Sequence, residues 1–352
     1  MCVVYKENFQ RKRNFKMKNR NGKIEKLIKQ FHLGNSIIEV SSITGGLSHR
    51  MYKVVTDSGI YAVKELNPGI MKREEAYSNF VFSEKVSNLA KENGMPVISA
   101  IKLENEVIRQ VGSDFFMVFP YLEGKLLKSE EITEKHCAIM GEVLAKLHLI
   151  DFSNVEEETR KQREIQKIDW NSYLVLAKKE NKSYVTMLEQ NSHLLDELCE
   201  KSNMAILEAN QELIVSHRDL DRKNVMWQNE NPFIIDWEAS GYINPLIELI
   251  VVAWNWAGGD VGKFEVCKFE MVVKHYQKFV KRKFDERLDK IVYAGIYDGL
   301  QWVKYNLERS LCIGNSYQAD EIELAENEIR QSIGEIKYYV SQISEMVEVL
   351  RK

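Results

Sequence analysis

No two of the five cysteines (Cys2, Cys137, Cys199, Cys267, Cys312) lie at short spacing. That argues against a zinc site and a disulfide framework, and points to a reducing cytoplasm. Basic excess is missing too: 49 Lys and Arg stand against 52 Asp and Glu, a net charge of -3. A globally basic nucleic-acid binder is excluded, and no nucleic-acid partner is expected. No apolar run is long enough to span a bilayer, since Leu246 to Ala257 is interrupted by Glu248 and Asn255. No apolar signal region opens the chain, because Arg11, Lys12, Arg13, Lys16, Lys18 and Arg20 keep it charged. Repeats and low-complexity tracts are absent. What is present is an ordinary globular composition, 44% hydrophobic and 29% charged over 352 residues, enough for one large domain or two lobes.

Residues 1 to about 22 read as a solvated basic leader, followed by a short amphipathic helix from Ile24 to Phe31; together, residues 1–34 precede the first lobe. Strand patterns follow at Ile37 to Val40, Met51 to Val55 and Ile60 to Leu66, with Asp57-Ser58-Gly59 as a hairpin signal. Residues 71–92 are helix-permissive; Asn93-Gly94 ends that helix and Pro96 prevents its resumption. Two further strands fit Glu106 to Val111 and Phe115 to Phe119. The fold class expected is therefore α+β: an N-terminal antiparallel sheet with one inserted helix (35–120), then a mostly helical part (121–352). In the latter, Cys137, Met140, Leu144 and Leu147 share one helix face. Residues 246–256 and 264–280 read as buried helices. A stripe from Ile322 through Ile329, Ile336 and Val347 to Leu350 marks a long helix that packs on this lobe. The same stripe has coiled-coil character, which leaves monomer and homodimer both open.

The chemistry gathers in Ser216-His217-Arg218-Asp219-Leu220-Asp221-Arg222-Lys223-Asn224 and in Phe233-Ile234-Ile235-Asp236-Trp237-Glu238. Two apolar runs, Leu213-Ile214-Val215 and Phe233-Ile234-Ile235, read as strands joined by a hairpin-like turn that brings Asp219, Asn224 and Asp236 together. One carboxylate to take a proton, with an amide and a second carboxylate for a hard cation, is the equipment of phosphoryl transfer. Asp219 is the candidate catalytic base; Asn224 and Asp236 are the candidate metal ligands. The five-residue spacing from Asp219 to Asn224 matches the catalytic-loop pattern of kinases. His217 reads as an anchor of the loop backbone, and His148 as a helix-end packing residue. Upstream, Gly45, Gly46 and Ser48 form a small-residue turn whose amides suit phosphate oxygens. Lys64 follows one hairpin later, where a phosphate-pairing lysine belongs. Its acidic partner is expected to be Glu84, with Glu74 and Glu75 as rivals.

These residues resemble the aminoglycoside phosphotransferase and choline kinase superfamily, small-molecule relatives of protein kinases. The likeness spans about residues 35–310. It is carried by Ile43-Thr44-Gly45-Gly46-Leu47-Ser48, Tyr61-Ala62-Val63-Lys64, Gly94-Met95-Pro96-Val97 and Phe119-Pro120-Tyr121-Leu122-Glu123-Gly124. It continues through Gly141 to His148, then His217-Arg218-Asp219 with Asn224, and Ile234-Ile235-Asp236-Trp237-Glu238. The resemblance implies a bilobal protein-kinase-like fold with ATP or GTP and Mg2+ between the lobes. It implies that the backbone at Phe119, Tyr121 and Leu122 receives the base, that Ser48 and the neighbouring amides cover the phosphates, and that Lys64 steadies them. The chain departs from protein kinases at Asp221, where a lysine is usual, and at Asp236-Trp237-Glu238 in place of Asp-Phe-Gly; no Ala-Pro-Glu follows. Within the family, His-Arg-Asp replaces the common His-Gly-Asp, and His49 stands where many relatives carry asparagine.

The expected activity is transfer of the nucleotide γ-phosphate to a hydroxyl of a small molecule, with aminoglycoside-like substrates first. Asp260, Glu265, Asp298 and Glu308 are the acids available for a polycation. Choline, ethanolamine or a sugar metabolite is the alternative, for which Trp254, Trp256, Trp302 and Tyr305 suit an aromatic cage. An alternative of another class is a non-catalytic member that binds nucleotide or a partner, against which the intact Lys64, Asp219, Asn224 and Asp236 argue.

Overall fold

The computed structural model describes residues 21–43, 49–155, 165–281 and 287–352. The chain forms two compact units. The first runs to Lys125 and takes back Val225–Ser240; the second holds Leu126–Asn224 and Gly241–Lys352. Sequence placed residues 121–352 in one lobe, whereas this partition returns the strand pair that leads to Asp236 to the first unit.

The first unit opens with helix α1 over 21–30. Strands β1 (Ile37–Ile43), β2 (Arg50–Thr56) and β3 (Ile60–Glu65) follow, then the short α2 (Pro68–Met71), α3 (Ala76–Glu92), β4 (Arg109–Val111) and β5 (Asp114–Pro120). They make an antiparallel sheet in the order β1-β2-β3-β5-β4. Strand alternation gives the sheet two apolar faces. Val63, Phe116 and Val118 pack with Ile24, Leu27 and Ile28, which α1 presents at helical spacing. Met117 turns the other way, into a cluster with Leu66, Phe80 of α3 and Val107. Lys64 lies opposite Met117 in the register, so it points to the α3 side. The strand expected from Glu106 is shorter than the sequence suggested. Glu104 and Asn105 take left-handed backbone in a turn closed by the Leu103–Glu106 bridge, so regular pairing begins only at Arg109.

Beyond β6 (Lys125–Leu126), the second unit contains α4 (Glu134–His148), α5 (Trp170–Lys179), α6 (Val185–Ala209) and β7 (Ile214–Ser216). The chain returns to the first unit with β8 (Val225–Gln228) and β9 (Asn231–Ile234). It then resumes the second with β10 (Gly241–Ile243), α7 (Pro245–Trp256), α8 (Val266–Gln277), α9 (Leu288–Ile291), α10 (Tyr297–Ser310) and α11 (Ala319–Arg351). The two apolar runs that sequence joined in one hairpin are not partners: β7 pairs with β10 and β9 with β8. The reason is local. Val225 to Gln228 forms a strand of its own directly after the turn, and Asn229 and Glu230, both at positive φ, close a tight hairpin onto β9. Within the first unit, β9 is tied to the segment after α3, where Ile234 donates to Pro96 O at 2.7 Å and Ile98 donates to Ile234 O at 3.1 Å.

The expected face of α4 is fully buried at Cys137, Met140, Leu144 and Leu147. The stripe on α11 is buried at Ala325, Ile329, Ile333, Val347 and Leu350 and packs on α10. No helix among the described residues is long and apolar enough to cross a membrane. Gly141 sits mid-helix in α4 because α8 comes close: a Cβ there would lie 2.3 Å from Val272 O. Backbone cannot yield as a side chain does. Gly141→Ala should therefore cost about 1–3 kcal/mol by overpacking and lower Tm by roughly 3–10 °C. An unchanged melting curve would contradict so close an approach.

Candidate active site

In the first unit, Lys64 is 8% exposed. Its Nζ donates to Asp236 Oδ1 at 2.7 Å and to Glu238 Oε2 at 2.8 Å. Burial alone would lower its pKa, but the two carboxylates outweigh that and raise it, so the ammonium stays charged. Asp236 leaves β9 with φ 58°, a left-handed conformation that aspartate tolerates better than most residues. A single short turn, Trp237–Ala239, follows and carries Glu238 back to the same lysine.

The pairing expected between Lys64 and Glu84 is not formed. Glu84 is buried and its Oε2 accepts the Ala100 N–H at 2.9 Å. Burial pushes its pKa up to about 7, although that bond and the Lys64 charge pull it down. Glu74 and Glu75 are exposed and are not partners of Lys64 either. Phe119 lies opposite Ala62, the Tyr121 N–H donates to Ile60 O at 3.2 Å, and Leu122 is half-buried. Gly45, Gly46 and Ser48 lie outside the described residues.

In the second unit, β7 delivers the 217–224 loop. His217 is fully buried, and the Asp219 N–H donates to its Nδ1 at 3.3 Å, the backbone anchor that sequence assigned to it. Asn224 donates through Nδ2 to Asp219 O and to Asp219 Oδ2, both at 2.8 Å, which orients the carboxylate. Lys223 Nζ lies 3.2 Å from Asp219 Oδ1. Burial raises the Asp219 pKa, partly offset by Lys223 and His217. Such a shift moves a carboxylate towards the range useful for a base.

Glu248, backed by His148 and Tyr276, holds this loop, a role that sequence did not give them. Arg218 has φ 68°, and its N–H donates to Glu248 Oε1 at 2.7 Å. Glu248 Oε2 lies 2.8 Å from His148 Nε2, and His148 Nδ1 is 2.8 Å from the Tyr276 hydroxyl. So α4, α7 and α8 converge on one strained peptide. Burial would raise the Glu248 pKa, but His148, the nearby Ser216 hydroxyl and the bond from the Arg218 N–H lower it. The signal in sequence was a glutamate inside the otherwise apolar 246–256 run.

The proposed acceptor acids are largely engaged already: Asp260 pairs with Arg222, Glu265 with Lys268 at 2.7 Å, and Glu308 accepts from the Tyr173 hydroxyl at 2.9 Å. Of the four aromatic candidates, Trp254 and Trp256 are buried, and the Trp256 indole donates to Leu220 O at 3.0 Å. Trp302 and Tyr305 are exposed, with ring centroids 5.3 Å apart.

Residues 39–266 match the sequence profile of the phosphotransferase enzyme family. The chain belongs to that family. No curated protein matches this phosphotransferase in sequence, but solved structures share its fold. A spectinomycin phosphotransferase crystallised with ADP and spectinomycin is 15% identical and superposes with a TM-score of 0.64 over 93% of this chain and 96% of that one. An ethanolamine kinase from Plasmodium vivax is 16% identical, with a TM-score of 0.55 over 85% and 82%. A choline kinase from Cryptosporidium parvum Iowa II is 14% identical, with a TM-score of 0.55 over 94% and 99%. The expected superfamily and the α+β, protein-kinase-like fold are those found.

The protonation of Glu84 gives this phosphotransferase a testable pH dependence. The Glu84 pKa rises on folding from the ordinary carboxylate value of 4.5 to about 7 because the side chain is buried, so the folded state holds the proton more tightly. The stability this contributes is complete below about 4.5 and lost as pH climbs through about 7. Glu84→Gln should therefore gain on the wild type between about pH 5 and pH 8, by an amount on the order of 3 kcal/mol. Denaturation curves that stay parallel across that range would contradict the buried, protonated Glu84.

Proposed function

We propose that this phosphotransferase moves the γ-phosphoryl group of ATP or GTP to a hydroxyl of a small molecule in the cytoplasm, with Mg2+ as cofactor. The observation that carries the reading is the Asp219 carboxylate, oriented by the Asn224 amide on a loop locked through the Arg218 peptide to buried Glu248. Asp219 takes the proton of the attacking hydroxyl. Lys64 neutralises phosphate charge, and the rate enhancement comes from positioning and electrostatics rather than from a covalent intermediate. The amides of Gly45, Gly46 and Ser48 cover the phosphates, and the chain at Phe119, Tyr121 and Leu122 receives the base.

The donor chemistry of the two candidate ligands fits magnesium. The Asn224 amide nitrogen is committed to Asp219, which leaves a hard carbonyl oxygen, and Asp236 engages Lys64 through Oδ1, which leaves its second carboxylate oxygen. Among the described residues, no group of three or more His, Cys, Asp or Glu side chains is placed to hold an ion alone. A cation that retains water and takes phosphate oxygens needs no such cage. Magnesium, when bound, would neutralise charge on the nucleotide phosphates.

Aminoglycoside-like acceptors stay first, supported by likeness to the spectinomycin phosphotransferase. Choline or ethanolamine is the second reading, favoured by the exposed Trp302 and Tyr305 and by the prior pairing of Asp260, Glu265 and Glu308. Labelled-phosphate transfer from both nucleotides to a panel of aminoglycosides, choline-like amines and sugars tests the reaction. With the acceptor so found, Asp219→Ala should lose about two to four orders of magnitude in turnover. Near-normal turnover in that variant would sink the assignment of the base.

A further inference from the structure

We propose that Glu238, braced by His49, is the positioning residue that holds Lys64 extended for the nucleotide phosphates, the role sequence gave to Glu84. The inference rests on the phosphotransferase reading above. It begins with the two carboxylates on the Lys64 ammonium, Asp236 Oδ1 at 2.7 Å and Glu238 Oε2 at 2.8 Å. Asp236 is the carboxylate proposed for the metal. Once it serves a cation, Lys64 needs another anion to stay buried and directed. Glu84 does not supply it: the Lys64 ammonium is met by Asp236 and Glu238, while the Glu84 carboxylate turns its Oε2 to the Ala100 N–H.

Glu238 is itself held in place by a second group. The Asn67 N–H donates to His49 Nδ1 at 3.0 Å. With Nδ1 acting as acceptor, the neutral ring carries its proton on Nε2. That Nε2 lies 3.0 Å from Glu238 Oε2, at an angle outside a normal hydrogen bond, so the contact is an electrostatic brace. His49 is 8% exposed and meets the Phe80 ring edge-on, with centroids 5.6 Å apart. The same Oε2 therefore faces both the Lys64 ammonium and the His49 N–H. Asp-Trp-Glu differs from Asp-Phe-Gly at its third residue, where glycine has no side chain to do this.

The test is a double-mutant cycle on the binding of AMP-PNP with magnesium, using wild type, Glu238→Gln, Lys64→Met and the double variant. Removing a charged hydrogen-bond partner should weaken binding by about 10- to 100-fold in Glu238→Gln. The double variant should bind no more weakly than Lys64→Met, because Glu238 acts through that lysine. His49→Ala should give a smaller loss that disappears in the Glu238→Gln background. In steady-state kinetics, the nucleotide KM should rise in Glu238→Gln while the acceptor KM does not. Multiplicative effects of Glu238→Gln and Lys64→Met would overturn the proposal and leave the phosphotransferase reading standing. So would coupling of Lys64 to Glu84→Gln instead. Failure of the wild type to bind either nucleotide would overturn both. A measurement on the wild type covers the case of variants that do not fold: imidazole 15N shifts should report His49 as the Nε2–H tautomer, and the opposite tautomer would overturn the brace.

Discussion

A buried ammonium is the constraint on which the first unit turns. Lys64 reaches the α3 side of the sheet because its strand position opposes Met117, and there it is almost without water. Removing a charge from solvent costs several kcal/mol unless partners with good geometry surround it. Asp236 and Glu238 meet that demand together, which explains why the chain after β9 turns so tightly. A left-handed Asp236 and a one-turn coil bring two acids of the same segment to one cation. Strained backbone of this kind persists only where the surroundings over-determine it, and the Pro96–Ile234 and Ile98–Ile234 bonds supply that support.

The second unit solves a related problem with the signs exchanged. Here a buried anion, Glu248, is held by His148 and the Arg218 peptide N–H. The left-handed Arg218 peptide presents its N–H to Glu248 and so fixes the direction in which the loop leaves β7. Gly241 makes room for the result, since a Cβ there would lie 2.8 Å from the Arg218 guanidinium. Asp219 is thus oriented through its neighbours: the His217 ring and the Asn224 amide touch it, while the buried helices set the loop that carries it.

Local signals in the sequence were sufficient for much of this. The Asp57-Ser58-Gly59 hairpin, the α4 face and the α11 stripe follow from periodicity and turn chemistry over fewer than a dozen residues at a time. Asp219 and Asn224 were readable as a pair because their spacing lies within one loop. The pairing of Lys64 was not, since its partners lie 172 and 174 residues away, and a nearer glutamate on the next helix offered a plausible substitute. Burial decided against it: Glu84 serves a backbone N–H instead. The assumed β7–β9 hairpin failed for a similar reason. Two apolar runs were visible, but β8, with its alternating Val225 and Trp227 buried, was overlooked between them. His148 and Glu248 stood in plain view as polar residues at apolar positions, yet only the folded chain shows that they meet.

The role proposed for Lys64 and Asp236 is to receive a magnesium nucleotide. Calorimetric titration of the full chain with AMP-PNP, with and without magnesium, tests it most directly on the wild type and Asp236→Asn. Magnesium should strengthen binding to the wild type, and this increment should be lost in Asp236→Asn. Equal affinity with and without magnesium in the wild type, or an unchanged increment in the variant, would contradict it.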